Sequence, residues 1–529
     1  MKKKFILLPV IFTAVFFAEC SDENVDLSVK GLALNPMSLT LKPEATQALV
    51  LTFFPENAAN KSVTWASSDE NVATIDDNGL VTALKPGSAT VTVTAADGGE
   101  KAVCTVSVVL NDPITVTGDV EGLWPKYSII NVNGHINVPA GKSLTIEEGV
   151  EVIVSTAGQD ANNTKIEFIV NGRLYCYGIG EAPVTFTVPA AERTAENTFK
   201  RLWGGIIGST TCEEIAFEYV LTEYTGAVTT KTSPSVAAAL FKPDGGEGMV
   251  AFNTNNPAGK YVIVHSIFRN TGEDAIYVQG GSCIFADNLF YAVGEAGGEA
   301  INVKAGCKVD AAFNMMYSAN TNALKLSNSG ADGGARFQAQ INGYNNTVVN
   351  SGWRRDPNKP KGGSVWAESG CLVNIYNNLI VNCMFAAKAP KFGLDAADGP
   401  DLNSRIDYNF YASGTAPSAV PQHITNGTLT AFDGFKPGVG DVVYGLHDVR
   451  GVAAGDKDPM FENFPFDTNP LLSYTYSASW DFHLKTGSPA LMGAYTGFTP
   501  YFSETGITVN GKLYKSPAPA TYFGAFGTR

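Results

Sequence analysis

The sequence predicts an all-β protein in which a small β-sandwich precedes a long solenoid of stacked β-strands. The first observation is an internal repeat: similar phrases begin at Ala275, Ala300 and Ser364, each with two short apolar strands around a small-residue turn and a cysteine. The second is the spacing, because Ala275 and Ala300 are 25 residues apart and short-strand repeats of about this length are typical of solenoids. The third is the lack of a helical pattern between the strands, which excludes a βαβ array.

The strands of the repeat have two different sides. Apolar residues occupy every second position, so they point into the coil while their neighbours point outward. The residues predicted to face inward are Ile276, Val278, Ile301, Val303, Leu324 and Leu326.

Length and composition agree with a large β protein. A chain of 529 residues exceeds one ordinary domain, and a hydrophobic content of 44% excludes disorder. The formal net charge of −14 argues against nucleic acid as a partner, because nucleic-acid binding needs clusters of Lys and Arg.

The first residues, 1–19, form a targeting segment. A basic start is followed by the apolar run 5–18, which is too short to span a bilayer and is typical of a secretory signal. Cys20 follows directly, and Asp22 and Glu23 come shortly after it in the linker 20–29.

This arrangement resembles a bacterial lipoprotein signal. The resemblance implies cleavage before Cys20, acylation of its thiol, and a lipid anchor in the outer membrane. The acidic pair after the cysteine further implies exposure at the cell surface. Glu19 departs from the pattern, which usually has Gly, Ala or Ser at that position. The alternative is an ordinary signal peptide with an incidental cysteine.

Residues 30–111 are predicted to form the small β-sandwich. Alternating apolar residues lie between turn residues, with a tight turn at Asp77-Asn78-Gly79 and Trp65 as a core candidate. The phrases around Val63-Thr64-Trp65 and Val72-Ala73-Thr74-Ile75 closely resemble the bacterial Ig-like domain, group 2. The resemblance implies a spacer or adhesive module without catalytic residues.

Residues 112–529 are predicted to form the solenoid. They resemble right-handed parallel β-helix proteins with the pectin-lyase-like fold, and the handedness also follows from the crossover rule for parallel strands. Asparagines recur at one position of the coil, where the resemblance implies a structural ladder of side-chain amides. The repeat fades between Tyr411 and Asp456, where we expect loops, and the end of the chain should cover the last coil. The ladder residues are Asn288, Asn314, Asn346 and Asn378.

Seven cysteines remain after Cys20, and three of them share one position of the coil: Cys283, Cys307 and Cys371. A stacked column of small apolar side chains explains them without disulfides. The cysteines and histidines do not have the spacing of a metal site, and no cofactor is predicted. Calcium serves many enzymes with this fold, but no pattern in this sequence supports it.

Alignment of the coils predicts a ligand-binding surface on the outer side of one parallel sheet. One outward column holds Tyr277, Asn302, Lys325 and Trp366, and the next holds Gln279, Lys304, Ser327 and Glu368. Asp274 and Glu299 precede the same strand in adjacent coils. Neighbouring strands lie about 4.8 Å apart, so these side chains should meet. The two lysines suit a uronic acid and the aromatic rings suit a sugar, but an ordinary solvated face is the alternative.

A basic loop, 353–361, stands out in the acidic chain. Trp353, Arg354 and Arg355 are candidates to hold an anionic glycan or a partner protein at the rim of this surface. The alternative is a solvated loop between two coils.

Two classes of function remain. The first is a non-catalytic surface lipoprotein whose β-helix binds glycan or another surface protein, within a glycan-uptake complex. The second is a polysaccharide lyase or glycoside hydrolase that acts on an acidic polysaccharide. The catalytic motifs of polygalacturonase-type β-helices are mostly missing: the stretch 270–274 is a faint counterpart of one, and no Gly-His-Gly occurs. This absence favours the first class, and no catalytic residue is predicted.

Overall fold

The computed structural model describes residues 26–243, 249–295, 297–355, 362–415, 421–425, 428–431, 441–451 and 455–529. The predicted targeting segment and Cys20 lie outside these residues. The chain divides into two compact units, Met1–Val109 and Leu110–Arg529. Both units consist almost wholly of strands and connecting turns, which confirms the all-β fold class.

The first unit is a small sandwich around one apolar core. Val91 and Val93 of one sheet pack with Val81 and Ala83 of another, and Trp65 packs partly buried against them. Gly79 has a φ of 78° in the predicted tight turn, a conformation that glycine adopts without strain. The strands form sheets of four (Ser38–Leu41, Lys101–Val108, Gly87–Ala95, Val63–Ser67), three (Thr46–Ala48, Leu80–Ala83, Ala73–Ile75) and two members (Gly31–Asn35, Val50–Phe54).

The second unit is a coil of parallel strands that stack into three long faces, as predicted for a parallel β-helix. Two faces, A and C, diverge from one long strand, Ile129–Val138. Its first half pairs with Glu151–Val154 of face C, and its second half pairs with Phe168–Val170 of face A. The strand Ile114–Asp119 pairs with the other side of the same long strand.

Each coil visits face A, then face B, then face C. Face A consists of Phe168–Val170, Ile206–Gly208, Phe252–Thr254, Ile276–Val278, Ile301–Val303, Leu324–Ser327 and Val365–Glu368. Face B consists of Gly122–Trp124, Ser143–Glu147, Arg173–Tyr177, Glu214–Glu218, Lys260–Val264, Gly281–Ala286, Cys307–Ala312, Gln340–Tyr344, Leu372–Tyr376 and Arg405–Ile406. Face C consists of Glu151–Val154, Val184–Thr187, Val220–Glu223, Ile267–Thr271, Leu289–Val293, Met315–Tyr317, Thr347–Val349, Leu379–Val381, Phe410–Ala412 and Val449–Arg450.

The interior of the coils is apolar, as the alternation predicts. The six residues predicted to face inward are fully buried and belong to one continuous core. The seven cysteines of the described residues are buried and form no disulfide, which agrees with the predicted packing role. They include the column Cys283, Cys307 and Cys371.

The asparagine ladder is present at the corner between faces B and C. The amide nitrogen of Asn288 donates to Oδ1 of Asn314 at 2.9 Å, and this bond is repeated from Asn314 to Asn346, from Asn346 to Asn378 and from Asn378 to Asn409. Each Oδ1 also accepts the backbone N–H of the preceding member. The ladder therefore satisfies buried polar groups that the corner removes from the strand hydrogen bonds.

The end of the chain packs on the sides of the β-helix, whereas the sequence predicts that it covers the last coil. Residues 461–484 pack on the outer side of face C, where Phe482 joins the cluster of Tyr317. Residues 502–514 pack on the outer side of face B, where Ile507 joins the cluster of Val262. These two faces carry outward apolar side chains, and the end of the chain removes this apolar surface from water by packing on it.

The remaining described elements are short. Antiparallel pairs are Pro421–Thr425 with Thr428–Ala431, Phe461–Asn463 with Asp481–Leu484, and Ile507–Val509 with Lys512–Tyr514. Helical turns are Ala190–Glu192, Ala195–Asn197, Pro234–Ala237, Asp332–Gly334 and Pro489–Leu491. No helix in the described ranges has both the length and the apolar character that a membrane span requires. The rest of the predicted loop region, 416–420, 426–427, 432–440 and 452–454, lies outside the described residues.

Candidate functional site

The first predicted outward column forms on face A. Tyr277 pairs with Asn302, Asn302 with Lys325, and Lys325 with Trp366 in the parallel register. Nearer the start of the β-helix the same column is covered, because Ile169 and Ile207 pack with Leu240, Phe241 and Met249. The half-buried part of face A therefore begins at Tyr277.

A lysine ammonium group lies over each of the two aromatic rings of this surface, Tyr277 and Trp366. Nζ of Lys304 lies 5.6 Å from the ring centroid of Tyr277, and Nζ of Lys325 lies 4.5 Å from that of Trp366. A second ammonium group, from Lys388, lies 4.6 Å from Trp366 and 4.6 Å from Phe385. The rings thus position cations by cation–π attraction. The role of Trp366 as a surface on which a sugar ring packs stays a prediction.

Lys388 extends the column by one rung, although it is not among the site residues predicted from the sequence. It forms a bridge with Trp366 on one side and with Val442 on the other. The spacing could have predicted this position, because Lys388 follows Trp366 by 22 residues, and Lys325 follows Asn302 by a similar 23. The sequence around Lys388 lacks the cysteine and the alternating apolar residues that identify the earlier coils.

The two column lysines are desolvated to a similar degree. Burial lowers the pKa of Lys325, although its ion pair with Glu368, 2.6 Å long, opposes the shift. Glu368 also accepts a hydrogen bond of 2.7 Å from Nε1 of Trp366. Burial likewise lowers the pKa of Lys388, which is 9% exposed, and the charge of Asp441 acts in the opposite direction.

Two carboxyl groups meet at the corner where the chain enters face A. Oδ1 of Asp274 accepts the backbone N–H groups of Gly298 and Glu299 at 3.0 and 2.9 Å. Its Oδ2 accepts the side-chain amide of Asn302 at 2.8 Å. Oδ1 of that amide is buried and has no hydrogen-bond partner among the described residues. This corner holds three of the predicted site residues in one polar cluster.

Each carboxyl group of this pair affects the pKa of the other. Burial and the neighbouring charge of Glu299 raise the pKa of Asp274 well above its ordinary value. Burial opposes ionisation of Glu299 too, but hydrogen bonds from Asp274 and neighbouring side chains, together with the charge of Lys325, hold its pKa below the ordinary value. The two carboxyl groups therefore titrate as a coupled pair whose pKa values shift in opposite directions.

The first two side chains of the basic loop bond mainly to the main chain of the protein. Trp353 is 5% exposed and donates from Nε1 to the carbonyl of Asn382 at 2.6 Å. Arg354 donates to the carbonyls of Val293, Gly294 and Ser318 and to the hydroxyl of Ser318. Burial lowers its pKa to about 10.

The guanidinium group thus stabilises main-chain carbonyls at the turns between faces C and A. The role of Trp353 and Arg354 at the rim of a binding surface stays a prediction. Arg355 is half-buried, and residues 356–361 lie outside the described part. In the described ranges, no cluster of three or more His, Cys, Asp or Glu side chains could hold a metal ion.

The family comparison concerns the first unit. Residues 28–106 match the family of the bacterial Ig-like domain (group 2), which confirms the resemblance seen in the sequence. An uncharacterised protein of Clostridium acetobutylicum is 39% identical over 89 residues, which are 17% of this chain and 9% of that protein.

Two further relatives have names that concern carbohydrates. An alpha-L-arabinofuranosidase of Bifidobacterium longum subsp. longum is 28% identical over 193 residues, which are 33% of this chain and 18% of the relative. A lacto-N-biosidase of Bifidobacterium bifidum is 37% identical over 99 residues, which are 19% of this chain and 8% of the relative. This chain thus spans less than a fifth of each of these relatives.

Proposed function

We propose that this protein is an exported, lipid-anchored glycan-binding protein that captures an anionic polysaccharide on face A without cleaving it. The observation that carries the proposal is the row of ammonium groups from Lys304, Lys325 and Lys388, each held over an aromatic ring. Rungs of a parallel sheet are about 4.8 Å apart, so the three cations follow the helix axis at short intervals.

An anionic ligand fits the state of these lysines. A partly buried ammonium group loses hydration, and a carboxylate or sulfate on a ligand would restore favourable contacts. Glu368 pairs with Lys325, whereas Lys388 has no ion pair with an acidic side chain among the described residues. The row of cations is also exceptional on a chain with a net charge of −14.

The proposal also includes a lipid anchor at Cys20. Acylation of Cys20 would hold the protein on the outer membrane at the cell surface, and the Ig-like unit would serve as a spacer. There the β-helix would pass glycan to other members of an uptake complex. The carbohydrate-related names of two relatives support a setting of this kind.

A polysaccharide lyase or glycoside hydrolase is the second candidate, because the carboxyl groups of Asp274 and Glu299 meet at the corner of face A and their pKa values shift in opposite directions. Acid–base cleavage of a glycosidic bond uses two carboxyl groups whose surroundings push their pKa values apart. Asp274 is only 6% exposed, and three N–H groups already point at it. Its access to a substrate is therefore poor, which favours capture.

The test combines binding and turnover in the full chain. Polygalacturonate and alginate are titrated into the wild type and into the double variant Lys304→Ala, Lys325→Ala. We expect the double variant to bind at least tenfold more weakly, and wild-type binding to weaken as salt screens the charges. The matched control is Lys142→Ala, Lys260→Ala, which removes the same charge from exposed positions and should bind like the wild type.

Release of reducing or unsaturated ends is measured in the same samples. Binding without release supports capture, and release that the double variant loses supports the enzyme. If the double variant binds as tightly as the wild type, face A is not the binding surface.

A further inference from the structure

A cleft of about 480 Å³ lies beside face A, next to the turns that lead from face C to face A. The loop 195–200 forms one wall, and Leu472 and Tyr474 from the end of the chain form another. The turns contribute Glu295, Asn320 and Arg354. The cleft contains none of the lysines of the proposed anion-binding row.

One wall of the cleft is aromatic. The rings of Phe199 and Tyr474 meet edge to face with centroids 4.9 Å apart. The guanidinium carbon of Arg354 lies 5.1 Å from the first ring centroid and 5.8 Å from the second. Because its N–H groups donate to Ser318 and to turn carbonyls, Arg354 supports the rings and offers little to an anion.

The polar groups of the cleft carry both signs of charge. Glu196 and Glu295 are exposed carboxylates at its surface, and Lys200 is an exposed ammonium group. Asn320 uses its amide nitrogen on the carbonyls of Glu295 and Gly297, at 2.8 and 2.7 Å. Its Oδ1 is buried and lacks a hydrogen-bond donor among the described residues. Buried acceptors of this kind are uncommon because an unpaired polar group is costly, so Asn320 points to a missing donor.

We propose that this cleft binds a neutral saccharide. A sugar ring has an apolar side that packs on an aromatic surface, and its hydroxyl groups can donate to Oδ1 of Asn320 and to the carboxylates of Glu196 and Glu295. The cations of Lys200 and Arg354 in the same lining balance the two carboxylates, so the cleft suits a neutral ligand, whereas face A suits an anionic one. The volume is within the usual range of small-ligand sites, about 300–1,000 Å³, and accommodates a mono- or disaccharide. The proposal is independent of what face A binds.

The test measures binding of neutral hexose and pentose disaccharides to the full chain by calorimetry at millimolar concentrations. Phe199→Ala should weaken binding at least tenfold, because it removes half of the aromatic wall. Glu295→Gln should weaken it about three- to tenfold and is the safer variant for folding, because the residue is exposed. Phe337→Ala removes an exposed ring at another place and should bind like the wild type.

A second comparison separates this cleft from face A. The variant Lys304→Ala, Lys325→Ala should retain neutral-sugar binding, whatever happens to its binding of polygalacturonate. The proposal is overturned if the wild type binds no neutral disaccharide. It is also overturned if Phe199→Ala and Glu295→Gln both bind like the wild type, or if the lysine variant loses neutral-sugar binding.

Discussion

At the scale of single residues, burial alternates sharply along face A. Ile301 and Val303 are fully buried in the core, whereas Lys304, one position further on, lies on the outer surface over the ring of Tyr277. The same alternation places Asn302 against Asp274 at the corner. The chemical role of a residue on this face therefore depends on its phase in the strand.

Substitutions to alanine should reveal this phase directly. Ile301→Ala should lower the free energy of unfolding by roughly 2–5 kcal/mol, because it leaves a cavity in a closely packed core. Lys304→Ala should change it by only about 0–1 kcal/mol, because a cation on the outer surface contributes little. Urea denaturation of the two variants checks both values. Equal losses would show that the inward and outward positions are wrongly assigned.

The sequence predicted the inward residues and the first outward column because both depend on local alternation. It did not predict the packing of Trp353 and Arg354, because their partners are carbonyls of turns that are distant in the sequence. The sequence of a basic loop does not show whether its side-chain N–H groups face solvent or donate to main-chain carbonyls. Lys388 was missed because its coil departs from the repeat in composition.

At the scale of elements, the asparagine ladder ends in a different residue. The backbone N–H of Asn409 donates to Oδ1 of Asp448 at 2.7 Å, where the next asparagine would accept it. Asp448 also accepts the N–H of Gly445 at 2.7 Å. The previous steps of the ladder span 26 to 32 residues, whereas this step spans 39. The sequence could not predict it, because both the spacing and the residue type change.

Asp448 at the end of the ladder should make the free energy of unfolding depend on pH. Burial, aided by the charge of Asp407, raises the pKa of Asp448 to about 6. An unfolded aspartate titrates near pH 3.9, so the unfolded state loses its proton first as the pH rises. The stabilising contribution is therefore complete below about pH 4 and is lost as the pH rises through about 6.

Asp448→Asn isolates the effect of this group. The variant has no titrating side chain at this position, so its stability should fall less than that of the wild type between pH 4 and pH 7. Urea midpoints at several pH values give the difference. Asp395→Asn is the control, because Asp395 is an acidic residue in an exposed turn away from the ladder. Parallel pH profiles of the wild type and Asp448→Asn would contradict the expectation.

At the scale of the whole molecule, the end of the chain returns along the helix to regions far upstream. Asp310 on face B accepts the N–H groups of Tyr501 and Phe502 and the hydroxyl of Ser516. Asn510 donates to Glu214, which is 296 residues earlier. The sequence predicted the stacked coils from their period, but contacts over such distances leave no periodic signal. Together with residues 461–484, this segment packs on faces B and C, and the proposed anion-binding row lies on the third face.

The proposed position of the molecule in the cell depends on one side chain, the thiol of Cys20. Acylation needs a sulfur atom, so Cys20→Ala should leave the protein unanchored, and washed membranes should lose it to the soluble fraction. A single acyl chain gives only weak membrane binding, whereas several chains anchor stably, so the change should be large. Ser21→Ala is the control, because it keeps the thiol and should remain with the membrane. Antibody detection after membrane fractionation measures both variants. If Cys20→Ala remains with the membrane in the same proportion as the wild type, the anchor is not this residue, and the surface location proposed for the glycan-binding face loses its support.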